Sequence, residues 1–206
     1  MTESDEERWD ARYAAGAYAE RTHPSAYVKT VWERLCLRPP VRACDVACGA
    51  GRNAIYLAQQ GCEVDGLDVS GVALGRARER AEALGMHVEW HRLALLAPGV
   101  RLPGEGYQLI TMVRFVANDL LTVLCDALAP GGYLLIEAHL QWPEDIALSG
   151  PSSARFRLPP GELEQAIADI PSMEIQEAYE GLIDEVDGSR GAVARLLARR
   201  QTNRVE

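Results

Sequence analysis

The sequence is short of lysine, of long apolar runs and of paired metal-ligand residues, and each shortage excludes something. Lys29 is the only lysine, so arginine supplies nearly all the positive charge. The formal net charge is −9. A surface that tracks a phosphate backbone gathers Lys and Arg, so this balance argues against nucleic acid or a membrane surface as partner. No apolar run approaches the roughly 20 residues that cross a bilayer. The start, Met1-Thr2-Glu3-Ser4-Asp5-Glu6-Glu7, is acidic where a secretory signal is basic and then apolar, so a cytoplasmic location is expected. The five cysteines (Cys36, Cys44, Cys48, Cys62, Cys125) show no C-x-x-C spacing and no histidine at ligand spacing. No metal site is expected, and the odd count predicts reduced thiols. Burial as small apolar residues is expected of all but Cys48, which sits in a loop of interest. There is no internal repeat and no low-complexity tract. Arg78, Arg80, Arg199 and Arg200 are expected on solvated faces.

What is present is an alternation. A chain of 206 residues, 48% apolar and 25% charged, suits one domain with a sizeable core. Residues 1–24 are polar and aromatic and form an N-terminal segment, followed by an α/β core over 25–206. Helical spacing over 25–37 is closed by Pro39-Pro40. Strands are predicted over 41–47, 62–68, 87–93, 107–113 and 133–138, with helices over 52–60, 70–84 and 118–128 between them. Pro130-Gly131-Gly132 is read as the stop before the fifth strand. The tail reads as a helix over 163–170, then strands over 173–182 and 192–198 around a turn rich in Asp187, Gly188, Ser189 and Gly191. The expected fold is a doubly wound, mostly parallel α/β sheet of seven strands, Rossmann-like, ending in an antiparallel strand pair.

The informative stretch is Asp45-Val46-Ala47-Cys48-Gly49-Ala50-Gly51-Arg52-Asn53, at the first strand-to-helix junction. Gly49 and Gly51 let a ligand approach where a Cβ would collide. Asp68 ends the second strand, and a carboxylate there suits two ribose hydroxyls. Together these point to an adenosine-containing cofactor. Asp45 decides which one. Its charge opposes a pyrophosphate and suits the ammonium and sulfonium of S-adenosylmethionine.

At these residues the sequence resembles the class I S-adenosylmethionine-dependent methyltransferases. It is most similar to the bacterial group that includes tellurite-resistance and thiopurine methyltransferases. The resemblance is carried by Trp9-Asp10-Ala11-Arg12-Tyr13, the glycine stretch above, Gly66-Leu67-Asp68-Val69-Ser70 and Leu128-Ala129-Pro130-Gly131-Gly132-Tyr133. It implies that Asp45, Ala47, Cys48, Gly49, Gly51 and Asn53 line the methionine and ribose side. Asp68 would hold the ribose, with Val69 beside the adenine. Val113 would reach the methionine portion through its backbone, and Trp9, Arg12 and Tyr13 would fold over the donor. Ala94, next to Leu95, stands where the family often has an acid facing the adenine. Gln108 replaces a frequent Asp, and Ser189-Arg190 replaces a His-Arg pair.

The implied reaction is direct displacement of the donor methyl by a small molecule, a thiol or chalcogen compound. His139, at the end of the fifth strand, is the candidate base among four histidines, beside its alternative as a structural residue. Arg114, Phe115 and Arg190 are candidates for the acceptor side, as are the aromatics Trp142 and Phe156. Two other readings remain: a non-catalytic S-adenosylmethionine binder, and an NAD(P)-linked oxidoreductase. Asp45 and the absence of a Tyr-Lys pair weigh against the second of these.

Overall fold

The computed structural model describes residues 4–143, 146–185 and 188–202. Seven strands form one sheet: β1 (Val41–Val46), β2 (Cys62–Asp68), β3 (Glu89–Arg92), β4 (Tyr107–Val113), β5 (Leu128–His139), β6 (Met173–Asp184) and β7 (Arg190–Arg200). Their order is β3-β2-β1-β4-β5-β7-β6. The first five are parallel, and β7 runs antiparallel to both β5 and β6. The hairpin therefore returns β7 into the sheet and leaves β6 at the edge. Asp187, part of the expected turn, lies outside the described residues.

Helices α2 (Ala26–Leu35), α3 (Arg52–Gln59), α4 (Gly71–Ala83), α5 (Leu121–Ala127) and α6 (Glu162–Ala168) connect and cover the strands, and α1 (Asp5–Ala14) precedes them. Strand parity divides the core. Cys44, Val46, Ile110, Met112, Leu134 and Ile136 pack with Leu121, Leu124 and Ile167 of α5 and α6. On the other face Val41, Ala43, Leu109, Leu135 and Leu197 pack with Val28, Val31, Ala54 and Leu57 of α2 and α3. Asp45, Thr111 and Glu137 share the parity of the second set. Each is buried there and each finds polar partners.

Several expectations need correction. The Pro-Gly-Gly turn does not delay β5, which begins at Leu128. The irregularity is absorbed as a register shift between Tyr107 and Leu109 on β4. The third strand is only Glu89–Arg92, leaving the exposed His87 outside it. Cys36 is exposed rather than buried, because it terminates α2 in the left-handed region at φ 50°. Arg80 and Arg200 are tied to backbone carbonyls, Arg80 to Thr22 and Arg200 to Asp126 and Leu128.

Candidate functional site

Strand order reverses between β1 and β4, and crevices of such sheets open at the carboxyl ends beside that point. The loop leaving β1 turns sharply there: Ala47, Gly49 and Gly51 have φ of 54°, 56° and 77°. Cys48 N donates to Leu67 O at 2.9 Å, and Gly51 N to Cys48 O at 3.0 Å. A Cβ on Gly49 would lie 2.3 Å from the Tyr13 hydroxyl, and one on Gly51 2.5 Å from Trp90 Cη2. Both positions therefore need glycine, the first for an approach to the loop and the second for packing against β3.

Two buried carboxylates brace the loop. Asp68 accepts from Gly49 N at 2.7 Å and from Ser70 N at 2.9 Å. Asp45 accepts from Thr111 Oγ1 at 2.7 Å and from Ala54 N at 3.1 Å, satisfying one of the free amides in the first turn of α3. Burial pushes Asp45 up to about 6 and raises Asp68 as well. Each oxygen keeps a second lone pair, so Asp68 retains acceptor capacity towards a ribose. Cys48 is buried, and burial raises its thiol well above the usual range, so it is not a poised nucleophile. Val69 is half-buried beside Asp68, Leu95 is buried and Ala94 is exposed.

The N-terminal segment is latched onto this loop. Ser4 and Glu7 form a capping box that starts α1. Asp10 accepts from Ser70 Oγ at 2.6 Å and from Val72 N at 3.2 Å, which docks α1 against the start of α4. Glu6 pairs with Arg92 nearby. Tyr13 is thereby buried against Gly49, with the Trp9 and Tyr18 rings 6.3 and 5.8 Å away. Arg12 lies over Trp9 at 5.2 Å. The side chain of Asn53 accepts from Ser25 N at 2.9 Å, joining the start of α3 to the start of α2.

On the other side of the switch point, Val113 is buried and Arg114 follows with φ 61°. Arg114 is engaged through all three nitrogens: Nε meets Glu137 at 3.3 Å, Nη2 meets Glu185 at 2.7 Å and Nη1 donates to His139 Nδ1 at 3.0 Å. That bond places the proton of neutral His139 on Nε2. Burial, then the charges of Arg114, Arg157 and Arg21, pull His139 down to about 3. Phe115 is half-buried against the core. Arg190 is apart from this group, exposed and 3.7 Å from Asp184. Trp142 is half-buried against the core, and Phe156 lies under Arg155 at 4.4 Å. Sequence reasoning missed Glu137, which is buried and also pairs with Arg195 at 2.8 Å and accepts from Ser25 Oγ at 3.2 Å. Its signal was a lone acid inside the apolar run 134–138. Among the described residues no cluster of three His, Cys, Asp or Glu is arranged to hold a metal ion.

Comparison with known proteins agrees with this geometry. Residues 43–132, from β1 to the turn within β5, match the family described as Methyltransferase domain. The seven-stranded sheet with its antiparallel strand pair is the fold shared by solved S-adenosylmethionine-dependent methyltransferases. A ubiquinone biosynthesis O-methyltransferase of Burkholderia orbicola is 31% identical over 98 residues, 45% of this chain and 42% of that protein. The chain thus spans less than half the length of the curated relatives it matches first. TehB from Haemophilus influenzae superposes with a TM-score of 0.70 at 21% identity, covering 89% of this chain and 66% of its own. A structure concerned with conversion of a disulfide bond into a thioacetal group during echinomycin biosynthesis gives 0.73 at 20% identity, covering 98% and 95%. Magnesium protoporphyrin IX methyltransferase from Synechocystis PCC 6803, solved with bound donor and with bound product, gives 0.62 at 16% in both, covering 98% of this chain and 86% and 90% of its own. The methyltransferase match over residues 43–132 supports S-adenosylmethionine as the cofactor, and the glycine loop with Asp68 fits an adenosine end.

Proposed function

We propose that the protein transfers a methyl group from S-adenosylmethionine to a small thiol or chalcogen acceptor by direct displacement, releasing S-adenosylhomocysteine. The observation that carries the donor half is the Asp68 carboxylate, held on Gly49 N at the switch point inside the matched stretch. The donor supplies an electrophilic methyl on a positive sulfur. The chain's own residues then bind, align and exclude water. Gly49 and Gly51 open the loop, Asp68 takes the ribose hydroxyls, Asp45 sets a negative charge at the methionine side, and Trp9, Arg12 and Tyr13 cover it.

The acceptor half rests on what the proton-transfer groups can do. A hydroxyl acceptor needs a general base near neutral pKa. His139 is held at about 3, where the neutral ring is a weak base. A soft nucleophile needs little such help, so a thiol or chalcogen is favoured over an alcohol or phenol. The test is methyl transfer from labelled donor across a panel of thiol, selenite, tellurite and phenol acceptors. Turnover of the soft acceptors with the His139→Gln variant retaining most of it supports this reading. Turnover of the phenol alone contradicts the acceptor half. Donor binding without turnover of any acceptor favours a non-catalytic binder.

A further inference from the structure

His139 is 7% exposed, and its ring is held from several sides. Arg114, leaving β4, donates to Nδ1 from Nη1, and its other two nitrogens meet Glu137 and Glu185. The backbone of the crossover between β5 and α6 lies on the ring. Gly150 has a φ of 97°, and a Cβ there would fall 2.3 Å from His139 Cε1 and 3.0 Å from Nε2. The crossover is itself pinned. Ser149 N donates to Arg190 O at 2.7 Å, and Arg157 donates to Pro151 O, Leu140 O and Ser149 O. Orientation and tautomer of the ring are thereby both fixed. Nε2–H is the free end. It has no hydrogen-bond partner among the described residues, yet the enclosed unpaired atoms there are Tyr27 Oη, Trp142 Nε1 and Ser149 Oγ, so Nε2 reaches open space at the carboxyl end of β5. The charges that act most on the ring are the cations Arg114, Arg157 and Arg21, from β4, the crossover and the N-terminal segment. They keep it neutral, so near neutral pH it is a donor and not a base. The same field favours negative charge in front of Nε2.

We infer that His139 selects the acceptor as its anion, with Nε2–H donating to the sulfur of a thiolate. The inference rests on the proposed function for the thiol class, and it gives His139 the opposite role to a base, because the ring keeps its own proton. On binding, the S–H bond of the acceptor breaks, its electron pair stays on sulfur and the proton goes to water. That pair is the one that displaces the methyl group in the proposed reaction, so each turnover releases one proton. A charge-assisted hydrogen bond to the thiolate, inside a field of guanidiniums, holds the ionised form over the neutral thiol.

The probe is 4-nitrothiophenol, whose thiolate absorbs visible light and whose thiol does not. It is titrated against pH on the full chain with saturating S-adenosylhomocysteine. The expected result is a bound thiol whose proton affinity is roughly ten- to hundredfold below that of the free probe. His139→Leu removes most of that difference. His139→Gln, which keeps an N–H, retains much of it. The thioether 4-nitrothioanisole, which cannot ionise, binds the wild type and both variants alike. In turnover, the rising limb of kcat/KM against pH moves with the acidity of the thiol between 4-nitrothiophenol and 4-methoxythiophenol. A limb set by a protein group, such as Asp45 at about 6, is common to both. The inference is overturned by a bound probe that titrates as it does in water, by no binding of the probe, by a His139→Leu variant that keeps the full difference, or by a limb common to both thiols. The two-thiol comparison uses the wild-type chain and decides the matter if His139→Leu fails to fold. Failure of the wild-type chain to bind S-adenosylhomocysteine contradicts the proposed function instead, and titration of the probe on the free chain then decides the role of His139.

Discussion

Asp45 is the residue whose burial has the plainest consequence. Its carboxyl is fully buried and pushed up to about 6 from an ordinary value near 3.8. The folded state therefore holds this proton more tightly than the unfolded chain does. The sign follows: the contribution is fully present below the unfolded pKa and is lost as pH rises through about 6. Two units correspond to about 3 kcal/mol. Asp45→Asn keeps an acceptor for Ala54 N and a donor for Thr111. We expect wild-type stability to fall relative to the variant between pH 4 and pH 7, read from urea midpoints at several pH values. A wild-type curve parallel to the variant's contradicts the burial argument. Gly49→Ala tests the loop in another way. It places a Cβ against the Tyr13 hydroxyl and strains a φ of 56°. Loss of roughly 1–3 kcal/mol of stability is expected, and Tyr13→Ala in the same chain restores the part due to the collision.

At the scale of elements, the hub is Glu137, which joins β5 to β7 through Arg195, to Arg114 and to the start of α2 through Ser25. Glu137→Gln takes the counter-charge from Arg195 and leaves Arg114 with Glu185 alone, and a loss of roughly 3–5 kcal/mol is expected in thermal or urea unfolding. A loss below about 1 kcal/mol marks the pairs as solvent-screened. The latch of α1 on α4 is separable from this. Asp10→Ala removes both contacts to Ser70 and Val72, so amides of α1 are expected to exchange faster with solvent while those of β1 and β4 keep their protection. Unchanged exchange in α1 means that Glu6, Arg92 and Tyr13 suffice to hold it.

Much of this organisation was legible. Strands β2 and β4 were readable at their ends because apolar runs stop at Asp68 and Val113 beside turn signals. Ser70 announced α4 as a cap, and it does accept from Ala73 N at 3.0 Å. The site loop was readable because glycines at a strand-to-helix junction followed by an acid have a physical reason to coincide. Other parts were not legible. Which arginines are paired depends on β7 inserting between β5 and β6, which brings Arg195 to Glu137 across 58 positions. Local patterning carries no trace of that pairing. The burial of Tyr13 depends on Asp10 reaching α4, a contact across 60 positions. The exposure of Cys36 follows from a left-handed helix end that a cysteine does not advertise.

For the molecule as a whole, the buried Asp45 and Asp68 brace the loop on one side of the point where strand order reverses, and the Arg114, Glu137 and Arg195 network lies on the other. No helix among the described residues is long and apolar enough to cross a membrane. The central claim is that the loop between β1 and α3, closed by Asp68, binds S-adenosylmethionine. The most direct test is titration calorimetry with S-adenosylhomocysteine, with NADH and NADPH as controls, on the wild-type chain and on Asp68→Ala. Saturable binding of the homocysteine product that is lost in the variant, with no heat from either nicotinamide, is the predicted result. Binding of a nicotinamide cofactor, or no binding of the product by a folded wild-type chain, contradicts it.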